Sequence, residues 1–155
     1  MLMATHFPHL RSSILATDLS DEVLARAASG RYSQMELNRG LPAAMLVRWF
    51  TRSGAHWEVS DDIRRRVTFR RLNLARPLGN MGPFDVVLLR NVLIYFDVEL
   101  KAAVLREVAR VLRPGGYLLL GSAETTHGVV DDFVRVQLGR TVCYRLGAPT
   151  TAGTA

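Results

Sequence analysis

Three observations predict an α/β fold around a covered parallel sheet. Two short segments, Val86-Val87-Leu88-Leu89 and Tyr117-Leu118-Leu119-Leu120, are apolar on both faces and flank a stretch of helical periodicity, the order expected of a right-handed βαβ crossover. A compact apolar strand, Ile14-Leu15-Ala16-Thr17-Asp18, also runs directly into a helix start. Near the end of the chain, Phe133-Val134-Arg135-Val136-Gln137 and Thr141-Val142-Cys143-Tyr144-Arg145-Leu146 alternate in polarity around Gly139, which reads as an antiparallel hairpin closing the sheet.

The elements follow in order. Ser20 before Asp21 and Glu22 starts a helix whose acidic first turn suits the helix dipole, and Gly30 ends it. Ser33 to Phe50 carries two short helical segments broken at Gly40-Leu41-Pro42, with Leu41, Met45, Leu46 and Phe50 on one face. These form a lid or a packing layer. Trp57-Glu58-Val59 and Val67 to Leu72 are strand-like, separated by a polar helical turn at Ser60 to Arg66. Asp97 caps a helix over Glu99 to Leu112 that buries Leu100, Ala103, Val104, Val108, Val111 and Leu112. Arg113, Pro114 and Gly115 terminate it. Residues 1–147 make one domain, and the small-residue segment 148–155 is an expected disordered tail.

Composition narrows the function classes. At 155 residues, 48% hydrophobic and 22% charged, the chain supports a real core. Its net charge is +6, but the arginines cluster only at Arg64, Arg65, Arg66, Arg70 and Arg71, without the interleaved aromatics of a nucleic-acid groove. A solvated basic face that docks an acidic partner is the expectation, not nucleic-acid binding. The single cysteine, Cys143, permits no intrachain disulfide and points to the reducing cytoplasm. No apolar run reaches the roughly 20 residues of a membrane span, and Met1 to Leu10 lacks the pattern of a secretion signal. His6 and His9 lack a third ligand at a sensible spacing, so no metal site is expected.

The candidate site residues lie at the carboxyl ends of the strands, where ligands of parallel sheets bind. Asp18 either takes the two hydroxyls of a ribose or caps the turn that follows it. Asn73 either reads an adenine edge through its amide, with the backbone of Leu74 beside it, or forms a turn. Arg90 is a ligand-holding or surface cation, and Asn91 a ligand or a cap. Tyr95 either works at a site or packs at the sheet edge. Ser122 and Glu124 either line the same crevice or merely make a turn.

Together, Ile14 to Gly30, Asn73-Leu74 and Phe84 to Glu124, above all its run Arg90-Asn91-Val92-Leu93-Ile94-Tyr95-Phe96-Asp97, resemble the chemotaxis receptor methyltransferases of the CheR type. The resemblance extends from about Ile14 to Leu146. It implies a Rossmann-like class I methyltransferase sheet with a small inserted β-subdomain, placed at residues 51–71, and transfer of methyl from S-adenosylmethionine to glutamate side chains of chemoreceptors. It further implies that Asp18 binds the ribose, that Asn73 and Leu74 contact the adenosyl moiety, that Arg90 and Asn91 help hold the cofactor, and that Tyr95 lies beside the transferring methyl. The implied protein is monomeric and not inserted in a membrane.

Family members carry, before the strand ending at Asp18, a central strand and a Gly- and Glu-containing loop around the methionine part of the cofactor. Only 13 residues precede Ile14, and Met1 to Leu10 resembles the tail of the helix after that loop. The expectation is therefore an N-terminally truncated methyltransferase domain, lacking the first strand and with impaired turnover. The alternative is a catalytically inactive binding or regulatory module, or a gene fragment. A strand lost from that position would leave two strands with unpaired edges and exposed apolar faces. The compact segment Thr51 to Arg71 makes tight tethering to a receptor terminal peptide doubtful.

Overall fold

Ile14 to Asp18 forms β1 (Ile14–Asp18) in the computed structural model of the chain, which describes residues 1–147; the expected tail at 148–155 lies outside the described residues. Contacts gather the chain into two compact units, Met1–Asn73 and Leu74 onward. In the first, a short helix α1 (Leu2–His6) precedes β1. Ser20 accepts the Val23 N–H as cap of α2 (Asp21–Ser29), and Gly30, at φ 65°, supplies the left-handed residue that stops it. There follow β2 (Arg31–Ser33), α3 (Gln34–Leu37), α4 (Ala43–Trp49), β3 (Phe50–Ser53), β4 (His56–Val59), α5 (Asp61–Arg64) and β5 (Val67–Arg71).

These strands make two sheets. β1 and β5 pair in parallel, with Ile14 opposite Val67 and Asp18 opposite Arg71. β2, β4 and β3 form an antiparallel sheet in that order. The insert expected at 51–71 is thus redistributed. Its last strand, Val67–Arg71, belongs to the parallel pair, and the small sheet instead recruits Arg31–Ser33 from upstream. Phe50, expected on a helical face, opens β3 and sets its ring edge-on to Tyr32 at 5.7 Å. Its β-branched and aromatic strand neighbours outweigh the helical spacing to Leu46.

The second unit is the βαβ crossover with its hairpin. β6 (Phe84–Leu89) leads through a 3₁₀ turn at Leu93–Tyr95 to α6 (Val98–Val111), capped by Asp97, which accepts the Leu100 N–H at 2.8 Å. β7 (Leu112–Leu120) returns parallel to β6, and β8 (Phe133–Leu138) and β9 (Thr141–Leu146) form the hairpin, giving the order β6-β7-β9-β8. α6 buries Ala102, Val104, Leu105 and Val108 in one core with Leu118 and Leu120 of β7, and Val111 is buried as well. Ala103 of the expected stripe faces solvent, and the stripe runs instead through Ala102, Val104 and Leu105.

β6 is not covered on both faces as its sequence predicts. Val87 and Leu89 pack with the core, while Val86 and Leu88 are 52% and 70% exposed. Among the described residues β6 pairs only with β7, and β1 only with β5. No helix among them is long and apolar enough to cross a membrane.

Candidate cofactor site and active loop

Register decides which side chains meet at each strand end. In the first unit, Asp18 lies opposite Arg71 and its carbonyl accepts the Leu72 N–H at 2.9 Å, so Asp18 and the segment entering Asn73 leave the parallel pair at the same end. Asp18 Oδ1 accepts the Ser20 N–H at 2.8 Å, an Asx-type turn that fixes the strand-to-helix corner. Arg71 does not neutralise Asp18. Its guanidinium donates to the Leu19 carbonyl at 3.1 Å and pairs with Asp21 at 3.4 Å. Asp18 Oδ2 makes no hydrogen bond among the described residues, and the residue is half-buried. The turn reading of Asp18 is met by one oxygen, and the other lies at the strand end of the parallel pair from which the exposed Asn73 follows β5. Leu74 is half-buried and packs against the core of the second unit.

In the second unit, Leu89 lies opposite Leu120, so the loops after β6 and β7 emerge side by side. Arg90, Asn91 and Tyr95 are carried on the first of these loops. Arg90 and Tyr95 are exposed, Tyr95 at 80%, while Leu93 between them is 2% exposed and anchors the loop in the core. Asn91 takes φ 60°, a left-handed conformation that Asn tolerates better than most residues.

What shapes the loop is Glu124. Its Oε2 accepts the N–H groups of Gly121 at 2.7 Å and Asn91 at 2.8 Å. Its Oε1 accepts those of Val92 at 2.9 Å, Leu93 at 2.8 Å and Ile94 at 3.3 Å. Partial burial opposes ionisation of this carboxyl, yet the N–H groups of Asn91, Gly121, Leu93 and Ile94 together hold it below the usual carboxylate range. Gly121 permits the approach: a Cβ there would stand 2.8 Å from Glu124 Oε2 and 3.0 Å from the Asn91 nitrogen. Sequence reasoning left Glu124 as a crevice or turn residue. Glu124 does join a turn, through its N–H to the Gly121 carbonyl at 3.0 Å, but its side chain organises the neighbouring loop. Only the glycine three residues upstream hinted at so close an approach.

A cavity of about 350 Å³ in the first unit is lined by Ala27, Ala28, Tyr32, Leu37, Phe50 and Phe69 among others and excludes Asp18. Its carboxylate, Glu36, is committed to the capping box of α3. That leaves little polar chemistry to recognise a nucleoside there.

The chain matches the family described as CheR methyltransferase, SAM binding domain, over residues 1–142. It is 42% identical over 133 residues to chemotaxis protein methyltransferase 1 of Pseudomonas aeruginosa, covering 85% of this chain and 48% of that protein. It is 41% identical to the chemotaxis protein methyltransferase of Vibrio parahaemolyticus, covering 86% and 49%. The chain thus spans about half the length of the curated relatives it matches. Among solved structures, the N-methyltransferase NodS of Bradyrhizobium japonicum in complex with S-adenosyl-L-homocysteine aligns with a TM-score of 0.51 at 17% identity, over 95% of this chain and 71% of that one. That likeness places the fold among class I methyltransferases. Taken with the strand-end carboxylate and the Arg90 to Asp97 loop, these matches show that the chain belongs to the CheR methyltransferase family, within its S-adenosylmethionine-binding domain.

Proposed function

We propose that this chain binds S-adenosylmethionine and serves a protein that methylates glutamate side chains on the cytoplasmic parts of chemoreceptors. The observation that carries the reading is the Asp18 corner, where one carboxylate oxygen is tied into the turn and the other is left as an acceptor at the end of a parallel strand. A ribose presents two hydroxyl donors, which suits a rigidly mounted carboxylate. In this reading Asp18 takes the ribose, Asn73 with the Leu74 backbone takes the adenine edge, and Arg90 and Asn91 are further holding groups.

When bound, S-adenosylmethionine supplies a methyl group on an electrophilic sulfonium. The acceptor in this reading is a glutamate carboxylate, which is ionised near neutral pH and needs no general base from the chain. The chain's task is then orientation and partial exclusion of water. Tyr95, at the end of the 3₁₀ turn with its ring exposed, offers a phenol that donates a hydrogen bond to the incoming carboxylate and holds it in place. Glu124 is saturated by backbone donors, in keeping with a reaction that uses no carboxylate base.

Calorimetric titration of the 155-residue chain with S-adenosylhomocysteine, beside an Asp18→Ala control, tests the reading. Saturable binding that the substitution removes is the expected result. Absence of binding by a folded wild-type chain rejects it. Binding without methyl transfer to receptor fragments assigns the chain to an inactive binding module of the same family.

A further inference from the structure

We infer that Glu124 is a positioning residue for this site: its carboxylate holds the backbone of Asn91 to Ile94, and through it the side chains of Arg90, Asn91 and Tyr95, in the arrangement that ligand binding requires. The inference rests on the cofactor reading above and adds a residue that acts without touching the ligand.

The geometry makes the case. Four consecutive N–H groups, Asn91 through Ile94, converge on one carboxylate, and the N–H of Gly121 joins them from the next strand end. Successive N–H groups turned to one point form an anion-binding concavity. Here the anion is built into the chain. The left-handed Asn91 is what turns its N–H into that concavity directly after β6, and Leu93, nearly fully buried, fixes the other side of the loop. The side chains of Arg90, Tyr95 and His127 on the two loops make no hydrogen bond to the carboxylate, and every hydrogen bond it accepts among the described residues comes from backbone. Arg90 and Tyr95 themselves are exposed and make no hydrogen bond or ion pair among the described residues. Their placement depends on the backbone that carries them, and that backbone is shaped by Glu124.

The charge and both oxygens matter. An amide at this position keeps the size but retains one acceptor oxygen and turns an NH₂ donor toward N–H donors, leaving part of the set unpaired. The test compares Glu124→Gln and Glu124→Asp with the wild-type chain by two measurements: amide hydrogen exchange at residues 91–94, and affinity for S-adenosylhomocysteine. Expected are lost protection at residues 91–94 in Glu124→Gln with β8 and β9 still protected, a fall in affinity of about tenfold to a hundredfold, and partial recovery of both in Glu124→Asp, which keeps the charge. Wild-type protection and affinity in Glu124→Gln overturn the inference. So does equal damage in both variants, which marks a mere volume effect.

A measurement on the wild-type chain guards against variants that fail to fold. The amide resonances of residues 91–94 are expected to shift together as pH falls, with one midpoint below the usual carboxylate range; separate midpoints, or no shift before unfolding, overturn the inference. If the wild-type chain binds no S-adenosylhomocysteine, the cofactor reading fails, and the inference falls with it as a statement about binding. The exchange and titration results then show separately whether Glu124 holds the loop.

Discussion

Two carboxylates stand at the ends of parallel strands in this chain, Asp18 as the last residue of β1 and Glu124 four residues beyond β7, and they are spent in opposite ways. Asp18 commits one oxygen to a single N–H, that of Ser20, and keeps the other as an acceptor. Glu124 commits both oxygens to five N–H groups and keeps nothing for a ligand. The residue type and the place at a strand end are therefore insufficient to identify a ligand-binding carboxylate. The remaining hydrogen-bonding capacity is what separates a carboxylate that could still accept from a ligand from one wholly used to build its own loop.

Making the same chemical change at both positions gives the largest contrast. Asp18→Asn retains an oxygen for the Ser20 N–H and thus keeps the corner, but presents an NH₂ where ribose hydroxyls need an acceptor. Calorimetry is expected to show affinity for S-adenosylhomocysteine falling about tenfold to a hundredfold, with a thermal midpoint close to wild type. If Asp18→Asn instead melts the corner and keeps its affinity per folded molecule, the cap reading of Asp18 wins and the contrast with Glu124 collapses.

A second perturbation removes the anchor rather than the carboxylate. Leu93 is 2% exposed and packs in the core under the loop, so Leu93→Ala is expected to cost about 2–5 kcal/mol in denaturant unfolding. A loss well under that range would mean that Glu124 alone holds residues 91–94. Gly121→Ala sits lower on the scale. The added Cβ meets the Glu124 carboxylate and the Asn91 backbone nitrogen, and overpacking of this kind costs about 1–3 kcal/mol. Thermal unfolding that is unchanged by Gly121→Ala would show that the two strand-end loops are free to separate.

Much of this was readable in the sequence because the signals are local. The Ser20 cap, the Gly30 stop, the Asp97 cap and the hairpin around Gly139 each depend on residues within a few positions of one another, and each appears where the sequence predicts. The run Arg90 to Asp97 carried the resemblance to the family that the matches show. What escaped depends on pairing across long separations. Whether Val67–Arg71 joins the small sheet or β1 is a choice of partner, and the strand's own residues suit either. The exposure of Val86 and Leu88 follows from which strands flank β6, not from their hydrophobicity. Glu124 is the clearest case. Four of its five partners lie 30 to 33 positions upstream, and backbone N–H groups leave no trace in side-chain identity.

The smallest expected effect is the pH dependence of stability, and its sign follows from the saturated carboxylate. Glu124 is held below the usual carboxylate range in the folded chain, where its ionised form is hydrogen-bonded, whereas unfolding returns it to the ordinary value. A depressed folded pKa makes the unfolded state the stronger proton binder, so this group's stabilisation is fully present above the ordinary carboxylate pKa and is lost as pH falls through the folded value. Glu36 in its Ser33 capping box and Glu107 beside Arg110 shift in the same direction, but both are only half-buried and their arginine partners are exposed, so they contribute weakly. Thermal unfolding of the wild-type chain is therefore expected to be flat with respect to these groups near neutral pH and to weaken into the acid range, and Glu124→Gln is expected to flatten part of that acid slope. An identical slope in wild type and variant would mean that Glu124 is no better solvated by its five donors than by water, and the difference between the two strand-end carboxylates would then be one of geometry without energetic weight.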